Sequence, residues 1–294
     1  MKKSIPQRRC FNVPAGRFKI ELGPKTCLMG IVNMTPDSFS KDGLWQRGRP
    51  SLGNATAFAQ KLIRQGADIL DIGGESSRPG AKQIPVAEEL KRIIPVITKI
   101  AKKISIPISV DTYKPAVAER ALDAGASIVN NIMGINADKN LLRMARNYNA
   151  AIILMHMRGN PRSMQLNIKY KNLIQEIING LRKSLENCLE IGIKSDRIII
   201  DPGIGFGKTV EHNLEILNRL EEFKILRRPV LIGPSRKSFI GKVLGKGVTD
   251  RLWGTAAAVA AGILRGAHIV RVHDVGAIKD TARMADAIVN QKYS

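Results

Sequence analysis

The feature that most restricts the fold of this 294-residue chain is a count of short apolar runs. From near residue 25 to the end, β-branched runs alternate with longer amphipathic stretches, and eight such runs occur, at 27–33, 67–73, 106–111, 127–132, 151–157, 197–201, 229–233 and 268–273. That alternation is the pattern of βα units around a parallel sheet. Eight of them favour a closed (β/α)8 TIM barrel, an α/β fold, over an open doubly wound sheet. A barrel needs about 250 residues as one unit, so residues 1–294 read as a single domain, with the barrel proper over about 25–294 and a short N-terminal extension over 1–24. The helical stretches end repeatedly in Gly66-Ala67, Gly125-Ala126, Gly192-Ile193 and Gly266-Ala267. Those pairs are expected where a left-handed C-cap turns the chain into the next strand. Residues 18–22, FKIEL, are expected to form an extra strand or lid beneath the barrel.

Composition removes several classes. No apolar run reaches the roughly 18 residues of a membrane span, and the basic start, MKKSIPQRRC, is followed by no unbroken apolar core of a secretory signal. A cytoplasmic protein without a membrane partner is expected. Cys10, Cys27 and Cys188 lie far apart, with no CxxC pair and no His at zinc spacing, so neither a disulfide framework nor a structural zinc is indicated. The formal net charge of +22 would suit nucleic acid, a membrane surface or a polyanionic small substrate. The charge is spread along the chain, however, and aromatics make up only 4% of it. No nucleic-acid partner is expected.

In a barrel the working face is built by the loops that follow the strands. Polar residues collect there: Asn33 after the first run, Glu75 to Arg78 after the second, Asp111 after the third and Asn130 on the fourth. Asp201 follows the sixth run, Ser235 to Lys237 the seventh, and Arg271 and His273 close the eighth. Carboxylates and amides together bind the donor and acceptor edge of a flat heterocycle. Cations beside such a pocket point to a phosphate that is held or expelled, and hence to group transfer. The segment DPGIGFGKT, 201–209, is not a Walker A loop, because Pro202 stands where glycine is needed. It is not a dinucleotide fingerprint either, because Lys208 takes the third glycine's place. Its glycines are expected to let the backbone pass close to a bound ring, with Phe206 projecting into the site. The long Gly-, Pro- and Ser-rich loops after Asn33 and after Gly73 are expected to act as lids.

Seven motifs now stand in order: NMTPDSFS (33–40), DIGGESSRPGA (71–81), SVDTYKP (109–115), LMHMRGNPRSMQ (154–165), DPGIGFGK (201–208), SRKSFIG (235–241) and RVHDV (271–275). Together they resemble the dihydropteroate synthases over nearly the whole chain after residue 25. The resemblance implies condensation of 6-hydroxymethyl-7,8-dihydropterin pyrophosphate with p-aminobenzoate to give 7,8-dihydropteroate and pyrophosphate, without a covalent enzyme intermediate. It places the pterin on Asp111, Asn130, Asp201 and Lys237, with Met155 lining the pocket. It gives Asn33 a Mg²⁺ ion that coordinates the diphosphate, whose oxygens fall to Arg271, His273 and Arg78 beside Ser77. Phe39, Pro79, Phe206, Lys237 and Ser238 form the p-aminobenzoate pocket, and Asp37 stabilises positive charge on the pterin. Asp37, Lys237 and Arg271 are thus the expected catalytic residues.

Two departures from the family pattern occur. Ser76-Ser77 replaces Ser-Thr and keeps the hydroxyl, whereas Asn131 replaces an Asp and removes a charge. A pterin-dependent methyltransferase shares the barrel and the pterin clamp, but it has no use for the Asn33 loop, the ESSRPG loop and Lys237. A retired, non-catalytic relative would have lost some of the charged positions. The resemblance also implies a homodimer through the last helices, where Ala256, Ala257, Ala258, Ala260 and Ala261 allow close packing. At the start of the helix after the seventh strand, Ser238 and free backbone N–H groups are expected to meet the p-aminobenzoate carboxylate.

Overall fold

A computed structural model describes residues 8–35, 44–46, 49–76, 80–159, 164–165 and 168–292. The chain opens with an antiparallel hairpin, β1 (Phe11–Ala15) and β2 (Phe18–Leu22), followed by β3 (Cys27–Asn33) and a two-residue antiparallel pair, β4 (Trp45–Gln46) and β5 (Arg49–Pro50). Strands and helices then alternate: α1 (Leu52–Arg64), β6 (Ile69–Gly73), α2 (Val86–Ala101), β7 (Ile108–Asp111), α3 (Pro115–Asp123), β8 (Ile128–Asn131), α4 (Lys139–Asn147), β9 (Ala151–Met155) and α5 (Leu173–Ile191). The last third continues with β10 (Ile198–Asp201), α6 (Val210–Asn218), β11 (Leu231–Ile232), α7 (Ser238–Leu244), α8 (Leu252–Leu264), β12 (Ile269–Val272) and α9 (Val275–Asn290).

Eight strands pair in parallel in the order β10-β9-β8-β7-β6-β3-β12-β11. A parallel bridge between Ile200 and Val230, with Ile200 N–H donating to Pro229 O at 3.0 Å, joins the two ends. The result is a (β/α)8 TIM barrel, and every one of the eight expected strands is present. Most are shorter than their apolar runs, because the ladder persists only while neighbouring strands stay in register and the rim residues leave it to form loops.

Side chains alternate between two cores, as the period of a strand requires. Met29, Ile69, Ile128, Ile153, Ile199, Leu231 and Ile269 point into the barrel. Their neighbours Leu28, Leu70, Val129, Ile152, Ile200, Ile232 and Val270 point outward and bury the apolar faces of the helices. FKIEL forms the expected strand, and its partner β1 was not foreseen, since Pro14 interrupts that stretch. Val13, Ala15, Ile20 and Leu22 from this hairpin belong to the inner core, so the N-terminal segment plugs the bottom of the barrel. The four Gly caps have φ of +103°, +112°, +92° and +99° at Gly66, Gly125, Gly192 and Gly266, as expected of left-handed ends.

Candidate functional site

The parity that sends Met29 and Ile69 inward also sends Asn33, Asp71, Asn130, Met155, Asp201, Arg271 and His273 toward the barrel axis, because each lies an even number of residues from an inward apolar position, while Asp111 faces the same way one residue past the outward Val110. They lie at or near the C-terminal strand ends. Register places Asn33 beside Gly73, Gly73 beside Asp111 and Asp111 beside Asn130. Gly73 carries no Cβ in a row where one would come within 3.3 Å of the Asp111 Cβ.

Arg271 organises the centre. Its Nε donates to Asp71 Oδ2 at 2.6 Å and its Nη2 to Asp111 Oδ2 at 2.7 Å, while Asn130 Nδ2 donates to the same Asp71 oxygen at 3.2 Å. Burial pushes the Asp111 carboxyl up to about 7; the Arg271 charge opposes that rise and the Asp71 charge adds to it. Asp201 is likewise raised by burial, against the pull of Lys237. Asp201 Oδ1 accepts from Gly203 N–H at 2.7 Å, which orients the carboxylate at the start of the glycine loop.

Lys237 precedes α7, with its ammonium 4.5 Å from the centre of the Phe206 ring and bonded to the Ile204 carbonyl. Burial lowers its pKa to about 8, and Asp201 resists the shift. Ser235 Oγ lies 3.0 Å from His273 Nδ1 and accepts from the His273 backbone N–H at 3.2 Å. Arg236 is held against Asp274 by two bonds of 2.9 and 2.5 Å. A cavity of about 440 Å³ opens at this end of the barrel, and its wall includes Asn33, Asp111, Phe206, Lys237, Ser238 and Arg271, with His273 beside them. Asn130, Asp201 and Met155 are buried, and Met155 packs in one apolar cluster with Phe206.

The structure therefore brings Asn33, Asp111, Asn130, Met155, Asp201, Phe206, Lys237, Ser238, Arg271 and His273 to one end of the barrel. Asp37, Phe39, Ser77, Arg78 and Pro79 lie outside the described residues. The glycine loop differs in one respect from the expectation. Gly203 has φ +73° and Gly205 φ +81°; a Cβ on Gly203 would lie 1.9 Å from the His156 carbonyl oxygen and one on Gly205 2.7 Å from the Lys237 side chain. These glycines permit close approach of the chain to itself. α7 spans seven residues with Lys237 at its N-cap position and no side-chain capping bond. Ser238 is thus not a cap, and so short a helix adds little dipole at its end.

Two residues were missed. Asp71 sits inside the apolar run ILDIG; the available signal was a carboxylate at an inward position of a buried strand, which demands a cation. Lys208, read only as a misfit to a nucleotide motif, is buried and donates to the Phe206 and His156 carbonyls at 2.9 and 3.3 Å. Burial lowers its pKa to about 7. The Asp-to-Asn departure falls away from the site: Asn131 has the outward parity of Val129, and its Oδ1 accepts from Met133 N–H at 2.9 Å.

A closed barrel with carboxylates, amides and cations converging at one mouth has the architecture of a heterocycle-binding enzyme. Residues 29–273 match the family described as pterin binding enzyme. The chain is 44% identical over 277 residues to the dihydropteroate synthase of Synechocystis, covering 94% of each, and 46% identical over 267 residues to that of Bacillus subtilis, covering 91% of this chain and 90% of the other. The crystal structure of Yersinia pestis dihydropteroate synthase superposes with a TM-score of 0.88 at 35% identity, over 94% of this chain and 98% of that one. The chain belongs to the pterin-binding enzymes, and within them to the dihydropteroate synthases, transferases of folate synthesis.

Proposed function

We propose that the cavity condenses 6-hydroxymethyl-7,8-dihydropterin pyrophosphate with p-aminobenzoate through the residues assembled around Arg271. The observation that carries this division of roles is the single Arg271 guanidinium bridging Asp71 and Asp111 at 2.6 and 2.7 Å beside Asn130. This cluster supports a reading in which the carboxylates and amide accept from a ring edge and the guanidinium meets a phosphate. A cavity of about 440 Å³ lies within the range of small-ligand sites, roughly 300–1,000 Å³.

Asp111 and Asp201 accept from the pterin N–H groups, and Asn130 supplies an amide. Arg271 keeps three N–H donors beyond its two carboxylate bonds, and these serve diphosphate oxygens together with His273 and Arg78. The bond between the pterin methylene carbon and the diphosphate oxygen breaks, and its electron pair leaves with pyrophosphate. The p-aminobenzoate nitrogen then forms the new bond to that carbon and loses a proton. Lys237 and Phe206 flank the aromatic ring, Ser238 meets its carboxylate, and Phe39, Pro79 and Asp37 complete the site from the loops. Related structures fit this reading: a Clostridium difficile enzyme was determined with pteroic acid and a Burkholderia cenocepacia one with 7,8-dihydropteroate.

The donor set suits Mg²⁺. Asn33 offers a hard amide oxygen on the cavity wall, and no group of three His, Cys, Asp or Glu suited to a metal occurs among the described residues. Mg²⁺ keeps several waters and takes its remaining ligands from substrate phosphates, so one protein oxygen is sufficient. Bound there, the ion would neutralise diphosphate charge. Ala257 and Ala261 are exposed on α8 beside Trp253, which is 80% exposed, and this face suits a second copy of the chain in a homodimer. Among the described residues no helix is long and apolar enough to cross a membrane, in keeping with a cytoplasmic role. The test is release of pyrophosphate by the purified chain, which should require both substrates and Mg²⁺; release with either substrate omitted would overturn the reading.

A further inference from the structure

The strongly basic composition is not used up by the active site, and at the opposite end of the barrel it is concentrated. A separate cavity of about 300 Å³ lies beside Val230 and His268, which lead into β11 and β12 at the bottom of the barrel. Its wall carries Arg9, Lys224, Arg227, Arg228 and Arg265 around the Phe11 ring, against a single carboxylate, Glu221. Glu221 is engaged with Arg265 at 3.5 Å. Arg9, Lys224, Arg227 and Arg228 have no carboxylate within salt-bridge distance among the described residues. The seven residues before Arg8 contain two lysines and no Asp or Glu.

Like charges brought together cost free energy unless a counter-charge is present. Here the cost shows locally: burial and the nearby Arg9 charge lower the Arg228 pKa, and Asp196 only partly offsets them. Arg8 adds a further cation to this wall. It is 7% exposed and bonded to Thr26, Ala267 O and Asp286, yet its Nε–H is buried without an acceptor. The Arg228 Nε–H is buried without one as well. Those two Nε–H groups are closed off from the cavity, so the cations on its wall without a carboxylate partner, Arg9, Lys224, Arg227 and Arg228, are what mark a place for an anion. The Phe11 ring, with the Arg9 guanidinium 5.4 Å from its centre and the His268 ring edge-on at 5.2 Å, supplies a flat apolar face.

We propose that this bottom cavity is an anion site, separate from the catalytic mouth, that binds a small molecule carrying two or more phosphate charges together with a planar ring, of the nucleoside diphosphate class. The confined volume favours a small phosphate compound over a polynucleotide backbone, which would engage only the exposed rim of lysine and arginine.

The test is calorimetric titration of the full chain with ADP, pyrophosphate and adenosine at 0.15 M salt, with a short single-stranded RNA in parallel. Pyrophosphate is a product at the mouth, so Arg271→Ala is used to remove that site. ADP should bind one to one and at least tenfold more tightly than adenosine, and Arg271→Ala should leave this unchanged. The double variant Lys224→Gln/Arg227→Gly should weaken ADP at least tenfold while retaining full condensation activity. Glycine suits position 227, where φ is +52°, and the conservative Lys224→Gln alone, which should weaken ADP severalfold, guards against misfolding. Pyrophosphate binding as tightly as ADP in Arg271→Ala would overturn the ring element. Loss of ADP binding in Arg271→Ala kept below its own melting transition, indifference to the Lys224 and Arg227 changes, or RNA outcompeting ADP at equal phosphate would overturn the site.

Discussion

Arg271 and Asp111, 160 positions apart in the chain, meet at the barrel mouth with the guanidinium Nη2 donating to the carboxylate Oδ2 at 2.7 Å. Asp71 takes the Nε of the same guanidinium, so the three charges act as one unit. Arg271→Ala would leave Asp71 and Asp111 facing each other without a cation. Breaking a buried pair of this kind costs about 3–5 kcal/mol, so the melting temperature should fall together with turnover. Arg271→Lys should recover part of the stability and little of the rate, because an ammonium does not span two carboxylates as a guanidinium does. A variant Arg271→Ala with an unchanged melting curve would remove the bridge from the account.

The two shifted groups on the cavity wall set a pH profile. Asp111, raised to about 7, is a strong charge-assisted acceptor for the pterin when ionised and a weaker one when protonated, so kcat/KM should fall as pH drops below that value. Lys237, lowered to about 8, is cationic only below that value, so kcat/KM should fall again as pH rises above it. A narrow bell follows. Asp71→Asn removes a negative neighbour that raises the Asp111 pKa and should move the acid limb to lower pH; a limb that stays in place would assign it to another group.

Asp201 is buried and held by Gly203 N–H. Replacing it with alanine leaves a ligand donor without its acceptor, at a cost of about 1–3 kcal/mol. Pterin affinity measured by calorimetry should weaken roughly tenfold or more. Unchanged affinity would remove Asp201 from the clamp.

Ser238 lines the cavity and makes no capping bond at the start of α7. Ser238→Ala should therefore leave the melting temperature alone and raise KM for p-aminobenzoate severalfold, with pterin affinity intact. Lowered stability with normal p-aminobenzoate kinetics would return the residue to a structural role.

Asn33→Ala should raise the Mg²⁺ concentration needed for half-maximal turnover while sparing the affinity for a pterin without phosphate. Chelation of Mg²⁺ should abolish turnover of both proteins. An unaltered Mg²⁺ dependence in the variant would place the ion elsewhere.

Much of this molecule is legible in one dimension because strands and their caps are local. The eight apolar runs, the Gly66, Gly125, Gly192 and Gly266 turns, and the polar residues just past each run all follow from periodicity and backbone preference. Ten of the expected site residues lie together at the mouth for the same reason: in a barrel, the position after a strand is already a position in space. Direction and partnership are less local. Asp71 lies within an apolar run, and its function became visible only when strand parity turned it inward and an arginine 200 residues later arrived beside it. Asn131 adjoins the site in sequence and faces the helices, because one residue along a strand reverses the side chain. At Gly203 and Gly205 the room a side chain would need is taken by the His156 carbonyl and the Lys237 side chain, neighbours that come from elsewhere in the chain. Burial, which sets the charge state of Asp111 and Lys237, and the gathering of Arg9 with Lys224, Arg227 and Arg228 at the opposite end, depend on which distant segments pack together. The sequence by itself determined the strands, the turns and the rim; tertiary closure decided which charges meet, because Coulomb interaction and desolvation depend on distance in space and not on separation along the chain.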